Sequence, residues 1–110
     1  MFRRTTMAVV MTLGVAFPAA AQDLVAKGEK LFTDQKCTLC HSVAGKGNVK
    51  GPMDDIGSKV TPAEIREWLT DAKAMTAKTK ATRKPDMKQY TLEKEDVDAL
   101  VAYVSSLKKK

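Results

Sequence analysis

The only two cysteines and the only histidine of this 110-residue chain stand within five consecutive positions, Cys37-Thr38-Leu39-Cys40-His41. Two thiols at this spacing have three common chemistries: a redox disulfide, half of a zinc site, or, when histidine follows at once, covalent attachment of a haem. A thioredoxin-like dithiol needs a strand before it and βαβ units around it, and the sequence has neither pattern. A closed zinc site needs four ligands, and there is no second Cys or His pair. A disulfide from Cys37 to Cys40 would close so short a loop that it would constrain the unfolded chain little. Haem attachment uses all three residues, because positions i, i+3 and i+4 of a helical turn project from one side. Cys37 and Cys40 are therefore expected to form thioethers to the vinyl groups of one haem c, with His41 presented to its iron.

Three stretches of helical period surround the motif. The first, about Asp23 to Phe32, sets Leu24, Gly28, Leu31 and Phe32 on one face. The second opens with Thr61-Pro62-Ala63-Glu64, a capping box with proline at the first helical position. Its apolar face is Ile65, Trp68, Leu69 and Ala72. The third begins near Thr91 and carries Val97, Leu100, Val101, Val104 and Leu107, with Tyr103 beside the stripe. The glycine-rich stretch 42–59 and the lysine-rich stretch 75–90 read as loops. With no alternating run of strand length and no internal repeat, the fold class is all-α.

Residues 1–21 have the layout of a secretory signal peptide: Arg3 and Arg4, an apolar run from Met7 to Phe17, then Pro18 and three alanines. The run is short for a membrane span, since about 20 residues are needed, which makes retention as an uncleaved anchor the minor alternative to cleavage. Cleavage after Ala21 would leave residues 22–110 as one soluble domain in the periplasm, without stable membrane insertion. That domain stays basic, because only two of the 19 Lys and Arg residues go with the leader, against 13 Asp and Glu. Arginine-rich helices and aromatic stacking series are missing, which argues against nucleic acid. A basic surface for acidic protein partners fits better. With one Trp, two Tyr and three Phe, side chains alone would make a thin core, and a bound group would help to fill it.

At this point the chain resembles the class I cytochrome c family of small bacterial single-haem proteins. The resemblance rests on CTLCH, on GEKLF (28–32) as the first helix and on LVAYV (100–104) as the last. It implies three to five helices wrapped around one haem, the first and last crossing at near right angles, with a glycine and aromatics at the crossing. It also implies that Pro52 supplies the carbonyl that accepts a hydrogen bond from His41, steadying the ring. A thioether is the common sixth ligand in electron carriers because it raises the potential, and the candidates are Met53, Met75 and Met87. By resemblance Met87 is the ligand, in the loop ahead of the last helix, although Lys88 stands where many members have proline. Trp68 and Tyr90 are expected to pack on the haem.

Two axial ligands leave the iron no open position, so the expected function is single-electron carriage between redox proteins by a monomer that is not an enzyme. Lys73, Lys78, Lys80, Arg83, Lys84 and Lys88 are the expected docking surface. Three alternatives stay open. They are a haem-bearing subunit of a larger redox complex, a five-coordinate haem peroxidase or sensor, and a non-haem dithiol oxidoreductase.

Overall fold

The computed structural model describes residues 19–109. Except for residues 19–21, the expected signal peptide lies outside the described residues. The elements are α1 (Ala19–Asp34), a 3₁₀ turn (Cys37–Leu39), a hairpin of β1 (Ser42–Val43) and β2 (Lys46–Gly47), α2 (Ile56–Lys59), α3 (Pro62–Thr70), α4 (Ala72–Thr79) and α5 (Lys94–Ser106).

The central contact is between α1 and α5, elements far apart in sequence. A Cβ on Gly28 would overlap the Ala99 carbonyl and the Tyr103 Cβ, so only glycine lets the two backbones come this close. One turn further on, the rings of Phe32 and Tyr103 meet edge to face, 5.6 Å apart at 70°. Such a pair adds about 0.5–1.5 kcal/mol beyond its buried area. Leu24, expected on this face, is 37% exposed; Val25 packs on the core instead. The reason is angular, because a stripe through Gly28 and Phe32 runs through position 25.

Helix α3 begins as the sequence predicts. The Glu64 amide donates to Thr61 Oγ1 at 3.1 Å and the Thr61 amide to Glu64 Oε1 at 3.0 Å, with Pro62 at the first helical position. Ile65 and Leu69 bury against α5, and Arg66 reaches Asp98 of α5. The helix breaks at Asp71 (φ −147°, ψ 54°) and restarts as α4, so residues 75–79, expected in a loop, are helical. Ala72 and Met75, three apart, are the residues that α4 buries. In the glycine-rich stretch two departures from a plain loop are the β1–β2 hairpin and the single turn of α2. After α5 the chain ties back to α2: the Gly57 amide donates to the Leu107 carbonyl, and the Lys109 amide to Asp55.

Candidate functional site

Helix α1 ends at Asp34, and Lys36 adopts a left-handed conformation (φ 58°, ψ 34°) that redirects the chain into the 3₁₀ turn. The amides of Cys40 and His41 both donate to the Cys37 carbonyl, at 3.1 and 2.9 Å. That single turn brings Cys37, Cys40 and His41 to the wall of one cavity of about 680 Å³. The volume lies within the roughly 300–1,000 Å³ of cofactor and ligand sites.

The remaining walls are mostly apolar and come from all the helices but not from the β1–β2 hairpin. Met53, Ile56 and Val60 line it from the α2 region, Ile65, Trp68 and Leu69 from α3, and Leu100 and Val104 from α5. Met87 and Tyr90 enter from the segment between α4 and α5, which is fastened to α3 by a hydrogen bond from the Tyr90 amide to the Leu69 carbonyl, 2.9 Å. The predicted site residues Cys37, Cys40, His41, Trp68, Met87 and Tyr90 are thus all in one place. Of the other methionines, Met75 is 2% exposed within α4 and does not line the cavity. Met53 does line it, but its amide bonds the Ser42 carbonyl at 2.8 Å, next to His41 in the chain.

Pro52 is corrected. His41 Nδ1 lies 3.2 Å from the carbonyl oxygen of Gly51, one residue earlier. Ser42 and Pro52 form a parallel bridge in which the Gly51 carbonyl accepts from Ser42 and the Met53 amide donates back. Carbonyls alternate in direction along extended chain, so the Gly51 oxygen faces the His41–Ser42 backbone and the Pro52 oxygen does not. With Nδ1 as donor, Nε2 keeps a lone pair suited to a metal ion. Burial lowers the imidazole's pKa below its ordinary value; the Gly51 bond opposes this, and the Arg83 guanidinium lowers it further.

The two thiols are not joined. Burial pushes the Cys37 thiol up, and burial together with that thiol pushes the Tyr90 phenol up to about 12. A thiol held protonated is a poor redox nucleophile, which weighs against dithiol chemistry. Among the described residues no group of three His, Cys, Asp or Glu side chains could hold a metal ion by itself. Two thiols, an imidazole and a thioether around a largely apolar cavity are instead a donor set that fits haem c.

Arg83 also lines the cavity, a placement that its position in a lysine-rich segment does not announce. A Cβ on Gly51 would overlap the Arg83 guanidinium and the Cys40 carbonyl. No helix of the described residues is long and apolar enough to cross a membrane.

The family model described as Cytochrome c matches residues 25–108. The chain is also similar to cytochrome c oxidase subunit 2 of Alkalihalophilus pseudofirmus, 28% identical over 96 residues. That match takes in 79% of this chain and 27% of the relative, so the chain spans about a quarter of the protein it resembles. No solved structure matches the chain significantly.

Proposed function

The chain belongs to the cytochrome c family, and on that footing we propose that it is a periplasmic carrier of single electrons with one haem c ligated by His41 and Met87. The observation that carries the proposal is the convergence of Cys37, Cys40, His41 and Met87 on one cavity. When bound, the haem supplies an iron that cycles between ferric and ferrous states by one electron. Cys37 and Cys40 hold it through thioethers. The Gly51 carbonyl, 3.2 Å from Nδ1, would fix the His41 tautomer and leave Nε2 free to bind the iron. Met87 would supply a thioether ligand, which favours the reduced state, while Trp68, Leu69, Leu100 and Val104 would keep water from the site. With His41 and Met87 both bound to it, the iron would be closed to substrate, and the protein would transfer electrons without catalysing a reaction of its own.

Redox partners meet a basic surface. In the lysine-rich segment Lys78 pairs with Glu67 at 3.8 Å and Lys84 with Asp86 at 2.7 Å. Lys73, Lys80 and Lys88 have no carboxylate partner among the described residues. These three are offered to acidic proteins, and steering of this kind weakens with salt. Electron transfer to the physiological acceptor should slow as ionic strength rises. A flat profile would remove the docking role.

The visible spectrum of haem-loaded protein tests the ligand set. Sharp ferrous c-type bands and a weak red ferric band from sulfur-to-iron charge transfer are expected, and Met87→Ala should abolish the red band. Its survival would assign the sixth ligand elsewhere. Cell fractionation with amino-terminal sequencing should find the protein in the periplasm beginning at Gln22.

The similarity to an oxidase subunit favours a second reading, a haem-bearing subunit of a larger redox complex. Isolation from native membranes and periplasm without denaturant decides between them. The carrier leaves as a free monomer, whereas the subunit comes out attached to other chains.

A further inference from the structure

Arg83 departs from the basic residues around it. It lines the cavity together with Cys40, His41 and Met87, as Lys88 also does, but it alone of the segment lies against Gly51, whereas Lys84 beside it is engaged by Asp86. No carboxylate among the described residues forms an ion pair with Arg83. Its guanidinium occupies the space above Gly51 that a side chain would fill, next to the Cys40 carbonyl. Gly51 is the residue whose carbonyl receives His41. In sequence, Arg83 belongs to the segment that brings Met87 to the cavity, so it links that segment to the backbone that receives His41.

We propose that Arg83 is a positioning residue of the electron-transfer site: its guanidinium, seated over Gly51, fastens the segment carrying Met87 to the turn carrying His41 and holds there a positive charge that favours the reduced iron. The inference rests on the assignment of His41 to the haem. A positive charge held near the iron raises the energy of the ferric form more than that of the ferrous form, because the ferric form carries the larger charge. The planar guanidinium can lie flat on a backbone that lacks a Cβ, which an ammonium group cannot reproduce. Charge and fastening are therefore separable by substitution.

The test uses the haem-loaded protein with Arg83→Gln, Arg83→Lys and, as a control for loss of one charge in the same segment, Lys80→Gln. Arg83→Gln should lower the midpoint potential by more than Lys80→Gln does, and should make the red ferric band disappear at a lower temperature. Arg83→Lys should keep most of the potential while still losing the band early. A potential shift no larger than that of Lys80→Gln overturns the charge role, and an unchanged melting of the band overturns the fastening role. Gly51→Ala, which puts a methyl group where the guanidinium lies, should lower the potential too, and combining it with Arg83→Gln should give less than the sum. Should Gly51→Ala fail to load haem, the Arg83 series alone decides. A red band missing from the unsubstituted protein would refute Met87 as ligand, while the potentials would still judge Arg83.

Discussion

At the α1–α5 crossing, Gly28 lies so near the Ala99 carbonyl that no side chain fits between, and Phe32 and Tyr103 close the gap beside it. Along residues 80–93, in contrast, Met87, Tyr90 and Leu92 are half-buried and the rest are exposed. The first region is packed by protein against protein. The second borders a cavity: Met87 and Tyr90 pack on the core with one side and face that space with the other. The molecule therefore consists of a part that chain packing can hold and a part that depends on the cofactor, with Met87 on the dependent side.

Removing the haem makes the largest difference. Cys37→Ala combined with Cys40→Ala should leave no haem on the chain after denaturing electrophoresis. In the resulting unloaded protein, amides of residues 80–93 should exchange with solvent much faster than those of α5. Equal protection in both regions would break the comparison.

The packed region is tested by Gly28→Ala. Helix propensity alone predicts a gain of about 0.5–1 kcal/mol. Overlap with the backbone of α5 predicts a net loss of about 2 kcal/mol, read from the denaturant midpoint, so the sign of the change decides.

A smaller effect is expected from Lys88→Ala. The Lys88 ammonium lies 5.4 Å from the centre of the Tyr90 ring, an exposed contact of about 0.5–1 kcal/mol. Its loss should advance the thermal loss of the red ferric band while leaving the melting of the helices nearly unchanged. A matching shift in both would mean that the segment is not independent of the core.

The smallest effect belongs to the ion pairs of Asp98, one with Arg66 of α3 and one with Lys94 of α5 itself. Hydrogen bonds from Arg66 and then Lys94 hold the Asp98 carboxyl below its ordinary value. A depressed folded value means that the carboxylate stabilises the fold above the unfolded pKa, about 3.9, and that this contribution fades as pH falls below it. The melting-temperature difference between the native protein and Asp98→Asn should shrink with acidification from pH 6 towards pH 3.

How much of this was legible in the sequence depended on the range of the interactions. CTLCH and the Thr61–Glu64 box are local, and spacing alone was enough to locate the turn and the helix start. Gly28 with Phe32 and Tyr103 also stood out, because the resemblance supplied the partner that periodicity could not. Helix α4 was missed because only Ala72 and Met75 give it a buried face, too weak a stripe to outweigh its lysines and threonines. The exchange of Gly51 for Pro52 was beyond reach, since which carbonyl meets His41 depends on a bridge between Ser42 and Pro52. Arg83 was hidden in plain view. Six basic residues in one segment look alike until the fold sets one of them over a glycine.

The pairing of α1 with α5 also bears on the order of events during synthesis. A ribosome releases the CTLCH segment well before α5, yet Cys37 is buried behind contacts that α5 completes. Long-range contacts of this kind cannot form until the later partner exists. Until α5 is in place, the core cluster that takes in Cys37 is therefore incomplete, whereas in the finished fold both thiols still line the cavity.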